Sequence, residues 1–277
     1  MAFLASEHQD VPRMPPIGLA GDLRDALTET GALPGHGFLL RFFPVFDFQR
    51  HGVAALFCTP TSDAAEAIHG HPAFQDFSPA QWAQIDCAIL SHALDFAATL
   101  ARHGIVAAVG ASVGFQTLSD PRGRIAYREA LRAAHAREQS YLVIKIEDIP
   151  EQTTAKRIGE LVASLRLVAP RIWAHLPGSR ILSGGHEPLH ASGLVMSMPA
   201  KLPFHGMQTE ARWLARLATL QTALACMDRV DSAAELETVR AAGVRFVAGQ
   251  AIGRPALAAA ATPDDIRDVL YADRPVR

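Results

Sequence analysis

The chain is poor in cysteine, and the few cysteines present are widely spaced. Cys58, Cys87 and Cys226 are the three cysteines in 277 residues. An odd number at wide spacing favours neither a disulfide framework nor a zinc site, and is typical of thiols in a reducing compartment. We therefore expect free thiols and a cytoplasmic protein.

The chain also lacks a charge excess of either sign. Its 26 basic and 28 acidic side chains give a net charge of −2. Arg128, Arg132 and Arg137 lie among acidic and apolar residues and form no basic stripe. These features argue against a nucleic-acid partner or a membrane-surface partner.

Long apolar runs and nucleotide-binding fingerprints are missing as well. No apolar run approaches the roughly 20 residues that a membrane span needs. Residues 1–16 lack a basic start followed by an apolar stretch, so we expect no signal peptide. The sequence contains neither a P-loop nor a dinucleotide fingerprint.

What the chain does have is a hydrophobic content of 49%, arranged as alternating helix and strand patterns. This alternation predicts an α/β fold with parallel strands. Residues 1–19 contain three prolines and are predicted to be a mobile tail, whereas residues 20–277 are predicted to form a single domain. The spacing predicts helices over 22–30, 79–102, 121–138, 155–168, 208–220, 233–242 and 263–271. It predicts strands over 38–48, 52–58, 105–109, 141–147, 171–174, 193–196, 223–227 and 244–247.

Three local signals refine this prediction. Pro44 removes a backbone donor from the first strand, so it should lie at an edge or a bulge. Ser232 is in the N-cap position of the helix that follows it. Gly243 fits the C′ position after that helix, where glycine adopts a left-handed backbone at little cost.

The stretch after the last strand, GQAIGRP, resembles the closing signature of EAL domains, QGYxFGRP. Gly249, Gly253, Arg254 and Pro255 match it. The opening is similar in order, because 43–45 and 54–56 stand where the family has QPI and the Glu-Ala-Leu triplet. The resemblance implies a TIM-type (β/α)8 barrel. In that bacterial family the barrel hydrolyses cyclic di-GMP with two divalent metal ions.

The family's functional positions carry unusual residues in this chain. Lys145 stands at the first glutamate of a Glu-x-Thr-Glu strand, and Met196 and Met198 stand at a Lys-x-Asp pair. By this comparison the candidate ligand-binding positions are Phe43, Ala54, Cys58, Gly110, Lys145, Asp148, His175, Asp228 and Arg254. Because hard cations need several oxygen ligands, we expect no metal, no cofactor and no cyclic di-GMP hydrolysis.

Three functions follow as hypotheses. The first is a catalytically inactive EAL-like regulator that binds an unidentified protein and that could form a homodimer. The second is a non-hydrolysing cyclic di-GMP receptor, in which Lys145, His175 and Arg254 face the phosphates. The third is a serine hydrolase, because residues 110–114 match the G-x-S-x-G elbow and Ser112 is followed by Asp148 and His175.

Two histidine motifs are interpreted as loops. Residues 186–190 match the zincin pattern H-E-x-x-H, but Pro188 lies inside the motif and would break the helix that must present both histidines. His69 and His71 lie in a polar stretch that contains glycine and proline, without a third ligand nearby in the sequence.

Overall fold

The computed structural model describes residues 39–61, 77–102, 108–135, 142–169, 171–178, 187–199, 203–252 and 256–257. Several sequence predictions lie outside these residues. They are the tail over 1–19, the helices over 22–30 and 263–271, the histidines at 69 and 71, and Arg254.

Nine strands and six helices make up the described part of the chain. The strands are β1 (Leu39–Asp47), β2 (Gly52–Thr61), β3 (Ala108–Gly114), β4 (Leu142–Glu147), β5 (Ile172–Leu176), β6 (Gly193–Ser197), β7 (Leu224–Asp228), β8 (Phe246–Val247) and β9 (Ala256–Leu257). The helices are α1 (Pro79–Arg102), α2 (Phe115–Ser119), α3 (Pro121–His135), α4 (Ala155–Arg166), α5 (Phe204–Gln221) and α6 (Ala233–Ala241).

The sheet closes on itself. Strands β2 to β8 pair in parallel in chain order, and β1 closes the ring because it pairs with both β2 and β8. The result is a closed barrel of eight strands, with β9 added to β1. The TIM-type barrel predicted from the sequence is therefore confirmed. No helix in the described part of the chain is long and apolar enough to cross a membrane.

The first strand runs against its neighbours. A short turn over 48–51 joins β1 to β2, and so short a connection requires an antiparallel pair. Along its other edge, β1 pairs with β9 at Arg41 and Phe42 and with β8 at Phe46 and Asp47. Pro44 lies in the gap between these stretches, and the ladder with β2 is irregular immediately after Val45. The expected bulge near this proline is confirmed.

Alternation along the strands separates two apolar layers. One layer fills the barrel and contains Val45, Ala55, Phe57, Val143, Trp173, Val195, Cys226, Phe246 and Ala248. The other layer lies between the strands and the surrounding helices. In α1 the side chains of Trp82, Ile85, Ile89, Leu90 and Leu100 are buried, and Leu94 is partly buried against them.

The predicted boundaries were wrong at β3. The sequence pattern predicted a strand that ends at residue 109, followed by the G-x-S-x-G match over 110–114, whereas the structure continues β3 to Gly114. The strand then passes directly into α2. Asp86 of α1 holds this junction, because its Oδ2 accepts from Gly114 N at 2.9 Å and from Thr117 Oγ1 at 2.5 Å. Similarly, β5 extends to Leu176, so that His175 lies in the strand.

Candidate functional site

Polar side chains collect inside the barrel at the carboxyl ends of β4 to β7. Lys145 and Glu147 are two residues apart on β4, so they project to the same face as Val143, which belongs to the interior layer. His175, Ser197 and Asp228 stand at or near the ends of the next three strands. Active sites of TIM barrels lie at this end of the barrel.

An aromatic floor lies below these polar groups. The ring of Trp173 is 5.4 Å from that of Phe57 and 5.8 Å from that of Phe246. Glycines make room for two of these rings: a Cβ at Gly110 would lie 2.2 Å from Phe57 Cδ1, and one at Gly193 would lie 2.5 Å from Trp173 Nε1. The polar groups are thus held above a packed, water-excluding layer.

A buried lysine joins two carboxylates of the site. Lys145 Nζ lies 2.6 Å from Glu147 Oε1 and 3.8 Å from Asp228 Oδ2. It also lies 4.9 Å from the centre of the Phe57 ring, which is cation–π range. Lys145 and Glu147 are 7% and 6% exposed, so this is an ion pair largely removed from water.

The two carboxylates keep the lysine charged. Burial by itself lowers the pKa of Lys145, but the negative charges of Glu147 and Asp228 more than offset this and raise the pKa above its usual range. The hydrogen bond to Glu147 acts in the same direction. At neutral pH the site therefore contains an ammonium ion beside two carboxylates.

Glu147 also contacts a histidine, which in turn contacts a serine. Glu147 Oε2 is hydrogen-bonded to Nδ1 of His175, and Nε2 of the same ring lies 3.0 Å from Ser197 Oγ. Glu147 therefore uses one oxygen for Lys145 and the other for His175. These contacts form a chain from Lys145 through Glu147 and His175 to Ser197.

The structure brings three of the candidate residues together, namely Lys145, His175 and Asp228. The pattern over 141–147 correctly predicted a strand for Lys145. Asp228 contacts Lys145 directly, and the group that joins Lys145 to His175 is Glu147, which the family comparison did not select. The comparison chose Asp148, which is half-buried just beyond β4 with a φ of 56°.

Other candidate positions lie away from this cluster. Ala54 precedes Ala55, which pairs with the first residue of β3, so Ala54 is at the opposite end of the barrel. Cys58 is fully buried in the layer that faces the helices. Phe43 is half-buried on β1, opposite Phe57. Gly110 is at the level of the aromatic floor, where its absent side chain accommodates Phe57.

Sequence reasoning missed Glu147 and Ser197. A signal was present for both, because every second residue of a strand shares a face. On β4 this rule links Lys145 to Glu147, and on β6 it links the interior Val195 to Ser197. Met196 and Met198, which stand at the family's Lys-x-Asp pair, are buried in the layer that faces the helices.

The residues of the predicted elbow are arranged differently from a nucleophile elbow. Ser112 is fully buried within β3, and its hydroxyl donates to the carbonyl oxygen of Cys58 at 3.2 Å. The ring of His175 contacts Glu147 and Ser197 instead. The zincin-like stretch is described from residue 187 onwards, and residues 187–192 are a loop, with a φ of 56° at His190.

The residues present do not fit the two divalent ions that the EAL resemblance implies. Magnesium and related hard cations need about six oxygen ligands. Here an oxygen of Glu147 and an oxygen of Asp228 lie 2.6 Å and 3.8 Å from the Lys145 ammonium, whose positive charge offsets one of their two negative charges. In the described ranges, no group of three or more histidine, cysteine, aspartate or glutamate side chains is arranged to hold a metal ion.

Solved structures with a similar fold are EAL domains. The FimX EAL domain of Xanthomonas citri, solved with c-diGMP, has a TM-score of 0.61 and 18% identity, over 87% of this chain and 96% of that one. The PaMucR phosphodiesterase, a c-di-GMP complex, has a TM-score of 0.62 and 13% identity, over 80% of this chain and 97% of that one. BlrP1 of Klebsiella pneumoniae, solved with manganese and cy-diGMP, has a TM-score of 0.57 and 14% identity, over 81% of this chain and 57% of that one.

These matches show the fold: the chain folds as an EAL-like barrel. Sequence comparison adds no further relative, since no family model matches the chain and no curated protein matches it. At 13–18% identity, the residues of the site must be judged by their own geometry.

Proposed function

We propose that this chain is an EAL-like barrel that is catalytically inactive as a cyclic di-GMP phosphodiesterase and serves as a bacterial regulatory protein by binding another protein. The observation that carries the proposal is the Lys145 ammonium, held 2.6 Å from Glu147 and 3.8 Å from Asp228. A cation of the protein's own thus stands beside the carboxylates that a metal-dependent phosphodiesterase would need for its ions. Since neighbouring charges raise the pKa of Lys145, this cation persists at neutral pH.

A protein partner is supported by apolar side chains at the end of the barrel opposite the site. Leu167 ends α4, Leu220 is in the last turn of α5, and Leu224 begins β7. These three leucines are 76%, 64% and 38% exposed, respectively. All three lie at the same end of the barrel, where exposed apolar side chains would give a protein partner an apolar surface to bind.

The alternative is a cyclic di-GMP receptor that does not cleave its ligand. One structure of similar fold, a BlrP1 structure with a TM-score of 0.54, contains cyclic diGMP and no metal ions. In this chain Lys145, His175 and Arg254 would face the phosphates. The pairing of Lys145 with two carboxylates favours the regulator, because the two negative charges beside the lysine oppose the binding of an anion there.

The experiment is a calorimetric titration of the purified chain with cyclic di-GMP, with and without magnesium or manganese, followed by chromatography of the mixture. The regulator hypothesis expects neither heat of binding nor a linear product. Binding without cleavage would instead establish the receptor, and its affinity should then fall in Lys145→Met and Arg254→Met. Cleavage that depends on added metal would refute both hypotheses.

The protein-binding part of the proposal has its own test. Proteins of the source cell that co-purify with the chain are compared between wild type, Leu220→Glu and Ile125→Glu. Ile125 is 56% exposed on α3 and is a matched control for an added charge at an exposed apolar position. A partner lost only with Leu220→Glu supports the surface, and equal recovery with both variants contradicts it.

We further propose a cytoplasmic location. Cys58, Cys87 and Cys226 are free thiols in the structure, as a reducing compartment would keep them. A homodimer is also proposed, and light scattering after size-exclusion chromatography would give the mass that tests it.

A further inference from the structure

Glu147, His175 and Ser197 contact one another in the order carboxylate, base and nucleophile. Nδ1 of His175 contacts a carboxylate oxygen of Glu147, and Nε2 lies 3.0 Å from Ser197 Oγ. From this juxtaposition, we propose that Ser197 is a nucleophile activated by His175 and that the barrel mouth transfers acyl groups from activated esters to water. The inference goes beyond the regulatory proposal and does not depend on it, because a barrel that binds a partner protein can also carry a reactive serine.

The contacts of the ring fix the roles of its two nitrogens. A carboxylate only accepts hydrogen bonds, so Nδ1 must carry the proton that is donated to Glu147. In the neutral imidazole, Nε2 then has a lone pair that can accept from the Ser197 hydroxyl. This tautomer is the one that general-base activation of a serine requires.

The three groups are supported by rigid neighbours. They lie on β4, β5 and β6, which are consecutive strands of the barrel. Register pairs Ile146 with Ala174, so Glu147 and His175 are at one level of the sheet. A site on paired strands holds its groups more accurately than a site on loops.

Burial decreases from the carboxylate to the nucleophile. The side chain of Glu147 is 8% exposed, that of His175 is 18% exposed, and Ser197 is half-buried at the end of β6. The carboxylate is therefore shielded, whereas the base and the serine are open to a small molecule entering the barrel mouth. An activated serine needs this arrangement, because the acyl carbon must reach Oγ.

The reaction balances with water as the second reactant. Ser197 Oγ attacks the acyl carbon while Nε2 of His175 takes the hydroxyl proton. The tetrahedral adduct collapses and expels the alcohol, which leaves with that proton, and an acyl ester remains on Ser197. Water then attacks this ester with His175 again as base, and the carboxylic acid is released.

Stabilisation of the oxyanion is expected to be weak. The backbone N–H that follows the serine, that of Met198, donates to the carbonyl oxygen of Asp228 at 2.7 Å. The positive charge nearest along the contact chain is Lys145, which shares Glu147 with His175. Loss of one oxyanion donor costs about 10²–10³-fold in rate. The site is therefore suited to esters with a good leaving group, such as short aryl esters.

The test is covalent labelling of the full chain with a fluorophosphonate probe, followed by mass spectrometry of the labelled peptide. We expect the label on Ser197 of the wild type, and in Ser197→Ala we expect this peptide to carry no label. Ser112→Ala is the matched control and should label like wild type, because the Ser112 hydroxyl is buried against Cys58. Hydrolysis of p-nitrophenyl acetate should follow the same order.

The base and the carboxylate are tested by rate rather than by labelling site. His175→Gln should slow labelling of Ser197 by about 10²–10⁴-fold, with thermal unfolding confirming that the variant is folded. Glu147 is a positioning residue, so Glu147→Gln should lower the maximal labelling rate. The probe concentration at which labelling reaches half of its maximal rate should stay the same. A merely structural role would not separate these two quantities.

Two results would overturn the inference. One is labelling of wild type no faster than that of Ser197→Ala, and the other is ester hydrolysis that survives Ser197→Ala unchanged. If His175→Gln does not fold, the comparison of Ser197→Ala with Ser112→Ala still decides, because each removes a single oxygen atom. Labelling of Ser197 in a chain that gives no response to cyclic di-GMP would leave both this inference and the regulatory proposal standing.

Discussion

Lys145 is a buried cation at the mouth of the barrel. Water is largely excluded from it, and its charge survives because Glu147 and Asp228 lie beside it. A buried ion pair contributes little net stability, but removal of one partner is costly because the remaining charge is left without compensation. The lysine and its carboxylates are therefore coupled in stability.

The first prediction concerns this coupling. Lys145→Met should lower the free energy of unfolding at pH 7 by about 3–5 kcal/mol, because it leaves Glu147 buried without its cation. The double variant Lys145→Met with Glu147→Gln should recover much of this loss, since no buried charge pair remains to be broken. Urea unfolding followed by circular dichroism measures both values.

The decisive comparison is between the single and the double variant. If Glu147→Gln adds its own destabilisation to that of Lys145→Met, then the two side chains do not compensate each other. Additive losses of unfolding free energy would contradict a stabilising ion pair between Lys145 and Glu147.

Helix α6 shows how local sequence fixes an element. Ser232 Oγ accepts from Glu235 N at 3.2 Å, and Glu235 Oε2 accepts from Ser232 N at 3.0 Å, which is a complete capping box. At the other end, Gly243 has a φ of 81°, as expected of a C′ glycine. Both ends of this helix were predicted from the sequence, and the structure confirms them.

The second prediction tests the cap. Ser232→Ala should cost about 1 kcal/mol of unfolding free energy, because the amide of Glu235 loses its acceptor. Ser232→Asp retains an acceptor and should cost much less. Chemical denaturation of the three proteins gives the comparison, and equal stability of the Ala and Asp variants would show that the cap does not contribute.

Strand β3 shows the limit of local sequence at the same scale. Residues 110–114 contain two glycines and a serine, which read as a turn in isolation. In the barrel they continue a strand, because Gly110 makes room for the ring of Phe57 on the neighbouring strand. The need for that space arises only when β2 and β3 are paired.

Across the whole molecule, three thiols remain protonated in the folded chain at alkaline pH. Burial raises the pKa of Cys58 and Cys226, which are 0% and 2% exposed. Burial and the charge of Asp86 raise the pKa of Cys87 to about 11. Because each folded-state pKa is higher than that of an unfolded thiol, the folded chain holds protons that the unfolded chain loses.

The third prediction follows from the sign of these shifts. The contribution of the thiols to stability is fully present below about pH 8.5, and it is lost as the pH rises above that value. Each fully buried thiol should lower the unfolding free energy by about 1.4 kcal/mol per pH unit. Urea unfolding in the presence of a reductant, at intervals from pH 8 to pH 10, measures the slope.

The control for this slope is the double variant Cys58→Ala and Cys226→Ala. The double variant should have a lower unfolding free energy at every pH. Its unfolding free energy should also fall less steeply as the pH rises, because the contributions of Cys58 and Cys226 are missing. Cys87 contributes equally to both proteins. Lys145 adds no slope in this window, because its raised pKa affects stability only above about pH 10.4. Parallel slopes would contradict the assignment of the pH dependence to the buried thiols.

The sequence by itself determined the elements and their order. Apolar spacing predicted α1 and β4, cap residues fixed α6, and the alternation of helix and strand with the closing glycine motif indicated the barrel. These features are local, since a helical face, a cap or a glycine turn depends on residues close together in the chain. They require no knowledge of which strands become neighbours.

Only the tertiary structure decided the composition of the site. Glu147, His175 and Ser197 are separated by 28 and 22 residues, and the parallel pairing of β4, β5 and β6 brings their side chains together. Closure of the barrel places Lys145 between carboxylates from β4 and β7, which determines its charge. Glu147 and Asp148 are adjacent in the sequence, and adjacent residues of a strand point to opposite faces. That choice depends on what lies across the barrel, which the local sequence does not contain.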